Sequence, residues 1–142
     1  MKLLNYLFPL IKEIKSKEGE LHFRRWRIIE TPWFNVYIHK IYLADEDEHC
    51  HNHPFDFNSF ILSGAYWEFL VRPKAKNYSG WYQDFHVFRK KNEYHKITDL
   101  ENGPVTTLVI TGPRSPSWGY LVEGTHIDHV EYRKRKNAKT LE

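Results

Sequence analysis

His49-Cys50-His51-Asn52-His53-Pro54-Phe55-Asp56-Phe57-Asn58, followed by Phe60-Ile61-Leu62-Ser63-Gly64, is the stretch on which the reading of this chain turns. Alternate side chains of an extended segment point to one face, so His51 and His53 project together while Cys50 and Asn52 face away. Two imidazoles on one face are half a metal site. His49 joins them only if the strand begins that early, and is as readily an exposed neighbour of Glu48. Pro54 lacks a backbone donor and ends the strand, after which Asp56 or Asn58 can turn back toward the same point. The chain then restarts as an apolar strand and reaches Gly64, where a tight turn is expected.

The chain around this stretch has 142 residues, enough for one domain with a sizeable core that needs no disulfide or structural metal. A metal would therefore serve function. Aromatic residues make up 16% of the chain, and Tyr, Phe, Trp, Val, Ile and Thr recur in short runs between turn signals, which predicts a mostly β protein. The single cysteine excludes an internal disulfide and fits a reducing compartment, so the expected location is cytoplasmic. The net charge of +3 owes much to Arg133-Lys134-Arg135-Lys136 and Lys139. Residues 133–142 read as a solvated basic tail without helix or strand periodicity, and a nucleic-acid partner is not expected from so short a run.

Residues 1–18 offer only Lys2 as an n-region, carry Pro9 in the middle and no small-residue cleavage site, and are too short and too soon charged to span a bilayer. Leu4, Leu7, Phe8, Ile11 and Ile14 fall at helical spacing, which predicts an N-terminal amphipathic helix, kinked or restarted at Pro9, packed on a sheet or at a homodimer contact. The barrel is expected over 19–132. Strands are expected over 21–30, 34–43, 57–63, 65–71, 81–88, 93–97, 105–111, 118–122 and 126–132. Turns are expected at 45–48, Gly64, 89–92 and Asn102-Gly103-Pro104, and a polar loop over 73–80. Such a series of short strands with one helix at the start suits a sandwich or barrel with one shared core.

His51-x-His53, Gly64 eleven residues on, and His95 between β-type runs together resemble the cupin superfamily, and the phrases His-Pro-Phe-Asp-Phe and Thr-Gly-Pro-Arg resemble small phage and bacterial cupin-like proteins of uncharacterised function. In the first cupin motif His51, His53 and Gly64 match, while Asp45 stands at the first Gly and Phe57 at the Glu. The second motif keeps His95, with Lys90, Asn92 and Asp99 at its Pro, Gly and Asn. The resemblance implies an all-β double-stranded β-helix, the jelly-roll barrel, holding a divalent transition metal at His51, His53 and His95.

Since Phe57 cannot replace the missing Glu, Asp56 or Asn58 completes the site or nothing does. Imidazole suits Fe, Zn, Ni and Cu. Three His resemble the thiol and diketone dioxygenases; two His and Asp56 would resemble the Fe(II) facial triad, for which 2-oxoglutarate is a co-substrate. Arg114, in the Pro-bounded loop 112–116, could capture a carboxylate as a catalytic or cofactor-binding group. The resulting expectation is a metal-dependent enzyme, most specifically an Fe(II) dioxygenase acting on a small molecule. The alternatives are a non-catalytic ligand- or sugar-binding cupin and a sugar-nucleotide epimerase or isomerase. His22, His39, His86, His126 and His129 have no spacing that joins them to the site. Trp67, Trp81 and Trp118 read most simply as core. Tyr66, Glu68 and Arg72 share one face of their strand, toward either the pocket or the exterior.

Overall fold

The computed structural model describes residues 2–72 and 78–140. Among them the order is α1 (Lys2–Leu7), β1 (Leu10–Lys15), β2 (Leu21–Glu30), β3 (Asn35–Ile41), β4 (Phe57–Arg72), β5 (Tyr78–Tyr82), β6 (His86–Arg89), β7 (Tyr94–Thr111), β8 (Gly119–Val122), β9 (Thr125–Asp128) and α2 (His129–Thr140). The part of the expected 73–80 loop at 73–77 lies outside the described residues.

Two long strands organise the rest. β4 and β7 pair antiparallel from Phe57↔Thr111 to Val71↔Tyr94, and each contributes to two walls. The start of β4 lies between β6 and the end of β7, in the wall that continues through β3 and β2 to β1; the end of β4 lies between β5 and the start of β7. His51 extends this second wall, since its backbone bridges His95 on one side and Tyr120 of the β8–β9 hairpin on the other. The fold is all-β, an antiparallel jelly-roll barrel preceded by a short helix. Ile41, Tyr66 and Val105 form one part of its core, with Phe23, Ile61, Ile97 and Leu100 packed against them; Phe55, Phe57 and Val109 form another.

The turns expected at Gly64 and at Asn102-Gly103-Pro104 are corrected: both lie inside continuous strands. Gly64 has φ +84° and Asn102 and Gly103 have φ 55° and 98°, and the ladder shifts register on both sides of Ser63. Together they make one wide bulge, in which Gly64 of β4 stands against residues 102–105 of β7 and left-handed residues bend both strands without ending them. A Cβ on Gly64 would stand 2.9 Å from the carbonyl oxygen of Pro104, so the bends of β4 and β7 face each other at close range. The strand expected over 81–88 divides for a related reason, because β5 and β6 pair with opposite ends of β4.

The helix expected over 1–18 is corrected as well. Only Lys2–Leu7 is helical, and Leu10, Ile11 and Ile14 lie in β1. Proline inside a helix costs about 3 kcal/mol, and the edge of β2 offers the segment a hydrogen-bonded ladder instead, with Arg27 N–H donating even to the carbonyl of Pro9. The helix is tied to the barrel where the fully buried Trp26 donates its indole N–H to Asn5 Oδ1 at 2.7 Å.

At the other end, the strand expected over 126–132 stops at Asp128, whose Oδ1 accepts the backbone N–H of Val130 and caps α2. Much of the expected basic tail is therefore helical. Its fixing contacts are tertiary: the Tyr132 ring stacks on Tyr120 at 3.8 Å, and Lys136 pairs with Asp47. Hydrophobic periodicity could not reveal a helix held by aromatic and charged partners distant in sequence. No helix among the described residues is long and apolar enough to cross a membrane.

Candidate metal centre

His51 and His95 are brought together by the backbone. The N–H of each donates to the carbonyl of the other, at 2.9 and 2.8 Å, a pairing that sends both side chains to one face of the wall. Parity then adds His53. Asn52, between them, faces the other way and works as a clip: its Oδ1 accepts the N–H of Gly119 at 2.8 Å and its Nδ2 donates to the Lys91 carbonyl at 2.9 Å. Gly119 has to be glycine, since a Cβ there would meet the Ile127 carbonyl oxygen at 2.1 Å.

One ligand atom from each of His51, His53 and His95 lies within 4.8 Å of the others, the group of His, Cys, Asp or Glu among the described residues able to hold a metal ion. His53 Nε2 and His95 Nε2 are 2.8 Å apart. Burial, then the neighbouring His95, brings His51 down to about 4, and the same causes hold His53 well below its ordinary value. Both rings are neutral near pH 7, the form that ligates metals.

His95 is oriented from behind. Glu68, 1% exposed, accepts the His95 Nδ1 hydrogen at 2.8 Å and also pairs with Arg89. Burial pushes the Glu68 carboxyl up, but His95 and Arg89 outweigh it and keep it below its usual range. The Glu68 bond fixes the proton on Nδ1, leaving the Nε2 lone pair aimed into the cluster, the arrangement by which carboxylates orient metal-bound imidazoles. The parity of β4 had narrowed Glu68 to two faces, and the interior is the one it takes. Its role as the partner of His95 had no signal in the sequence, because 27 residues separate the two.

Asp56 is not part of this group. It is exposed, and its Oδ1 accepts the backbone N–H of Lys91 at 2.7 Å; the expectation that it turns back as a ligand is corrected. Pro54 starts a bend that carries the side chain outward. Asn58 is engaged with His86, and Phe57, at the motif's Glu position, is buried edge-on to His53 with ring centroids 4.9 Å apart. The candidate ligand set is three imidazoles, with an aromatic wall where the motif has a carboxylate.

His49 hydrogen-bonds Tyr132, His126 bonds Tyr94, and His129 stacks on Trp118. Cys50 faces away, its thiol pushed up to about 11 by burial. Trp67 and Trp81 are surface residues, 37% and 59% exposed, against the core expected for them.

His51 and His53 stand where two cavities meet, and His95 lines the smaller of them. An inner chamber of about 140 Å³ is lined by all three together with Phe55, Phe57 and Val109, and by His39, which spacing had left unplaced. Outside it opens a mouth of about 540 Å³ that includes His51, His53, His22, Trp118, Tyr120 and Arg114. Arg114 is exposed at this mouth. Tyr120 donates its hydroxyl to Asp47 at 2.9 Å; burial first, then this carboxylate, raises its pKa.

No known protein family profile and no curated protein sequence matches this chain. Solved structures do match. An Fe(II)-HppE complex with the alternative substrate (S)-1-HPP aligns over 73% of this chain and 55% of its own, with TM-score 0.55 and 12% identity. The Bacillus subtilis oxalate decarboxylase, described with Mn(II) centres, aligns over 78% and 30% with TM-score 0.57 and 10% identity. CapF, bound to 3-isopropenyl-tropolone, aligns over 74% and 31% with TM-score 0.55 and 14% identity. This chain thus spans about half the length of the first and less than a third of the other two. The chain has the cupin fold, a jelly-roll barrel with three histidines gathered on its inner wall.

Proposed function

We propose that the protein is a metal-dependent cupin enzyme, most specifically an Fe(II) oxygenase acting on a small molecule. The observation that carries this reading is the cluster of His51, His53 and His95 on a small aromatic chamber, with His51 and His53 also reaching a larger open mouth. The donor set fits a borderline first-row divalent metal, since three imidazoles leave further coordination positions vacant.

A bound Fe(II) would supply reducing electrons and open positions at which a small molecule and dioxygen can be brought together. The chain's own residues do the rest. Glu68 holds His95 in the ligating tautomer, and Arg89 balances the buried carboxylate. Phe55 and Phe57 line the chamber with rings and limit water around the cluster. With Asp56 turned outward, the facial-triad reading and its 2-oxoglutarate corollary lose their carboxylate, and the three-His type of oxygenase is favoured. Arg114 then faces the substrate at the mouth.

The test is oxygen uptake by anaerobically Fe(II)-loaded protein, together with nitric oxide as a dioxygen surrogate read by EPR. A ferrous nitrosyl signal, slow basal uptake, and acceleration by a thiol, diketone or other small-molecule partner are expected. Absence of both signal and uptake at full iron loading would remove the oxygenase reading.

A further inference from the structure

The mouth is strongly cationic. Seven Lys and Arg side chains line it against three acids, and two of those acids are occupied: Asp47 by Lys136 and Tyr120, Asp45 by the backbone N–H of Ile97. Lys12, Arg25, Arg114 and Arg133 form no ion pair among the described residues. They come from four places in the fold, namely β1, β2, the loop after β7, and α2.

Arg25 is fixed in the wall, donating Nε–H to His39 at 2.9 Å with its guanidinium 4.8 Å from the Tyr37 ring centroid. Partial removal from water, then Arg25, Arg133 and Arg114, draws the Lys12 ammonium below its ordinary value, so these cations lie close enough to repel one another. Like charges gathered in a cavity cost stability unless an anion joins them.

We propose that the mouth binds the phosphate group of a small phosphorylated molecule, held by Lys12, Arg25, Arg114 and Arg133, while the rest of that molecule extends past His51 and His53 toward the inner chamber. As a substrate assignment this rests on the reading of the three-His cluster as the reacting centre. Cations arriving from four elements suit a group with oxygens on several sides, whereas a planar carboxylate is satisfied by a single guanidinium fork. The charges line a concavity of about 540 Å³, the size of a small-molecule site, and not an extended track for a nucleic acid.

The experiment is calorimetric titration of the full chain with phenyl phosphate, inorganic phosphate and glutarate, with and without Zn(II), alongside Arg133→Gln, Lys12→Gln and His51→Ala. Phenyl phosphate should bind with or without metal and more tightly than glutarate. Arg133→Gln and Lys12→Gln should each weaken it by about tenfold or more, keep full metal content, and melt no lower than the parent protein without ligand, because a repulsion has been removed. His51→Ala should lose metal yet keep phenyl phosphate binding, which separates failure of the metal reading from failure of this one. The proposal is overturned if phenyl phosphate binds only when metal is present, if glutarate binds more tightly, if Arg133→Gln binds as well as the parent, or if single-stranded DNA binds through the same residues more tightly than phenyl phosphate.

Discussion

Glu68 Oε2 accepts the Nδ1 hydrogen of His95 at 2.8 Å while the other oxygen of the same carboxylate pairs with Arg89. The carboxylate thus joins a metal-ligand candidate to a buried cation. Removing its charge has two separable consequences. Glu68→Gln should lower metal affinity by roughly 10- to 100-fold, read by competition with a chromophoric chelator. It should also destabilise the fold by about 3–5 kcal/mol, because a buried ion pair with Arg89 is broken from one side, read by denaturant unfolding of the metal-free protein.

Asp56 and His95 make a direct contrast. Asp56→Ala removes an exposed side chain engaged with the Lys91 backbone and should leave metal content at the parent level, at a cost of about 1 kcal/mol in stability. His95→Ala should abolish metal retention. Elemental analysis of the two variants side by side checks this, and loss of metal in Asp56→Ala would restore the carboxylate ligand.

Acid should unfold the metal-free protein early. His39, His51 and His53 are held below their ordinary values first of all by burial, so the unfolded chain takes up protons that the folded chain refuses. Stability is then complete above the unfolded value of 6.5, and falls as pH drops from there toward about 4, the folded value of His51. Urea midpoints measured between pH 7.5 and 4.5 should decrease steadily, and His39→Gln should reduce the slope. A flat profile would contradict neutral, buried imidazoles.

Gly119 is set by close approach. A methyl group there would press on the Ile127 carbonyl at 2.1 Å and part the β8–β9 hairpin, whose Gly119 backbone also holds Asn52 between the two histidines. Gly119→Ala should cost at least about 1–3 kcal/mol and weaken metal binding. Gly112→Ala, with its nearest neighbour at 3.6 Å, should be tolerated far better. Melting temperatures of the pair check the difference.

Alternation around His51 and His53 sufficed to place two imidazoles on one face, and the cupin-like spacing brought in His95, because both are short-range properties of strands. What sequence patterns missed depends on distant partners. Gly64 and Asn102-Gly103 carry ordinary turn chemistry, and only the pairing of β4 with β7 makes them a bulge. Leu10, Ile11 and Ile14 keep helical spacing but meet a free strand edge. Tyr132 reads as the end of a strand and Lys136 as part of a solvated tail until Tyr120 and Asp47 come alongside, and the cationic mouth emerges only when four separate elements converge on one cavity.

The most direct measurement of the central claim is metal content, by mass spectrometry of untagged protein purified without chelators, for the parent chain and for His51→Ala, His53→Ala and His95→Ala. The three-His centre predicts close to one Fe, Mn, Ni or Zn per parent chain and almost none in each variant, with β-type circular dichroism preserved in all four. Full metal occupancy in the variants, or a parent protein that binds none of these ions when they are supplied, would contradict it.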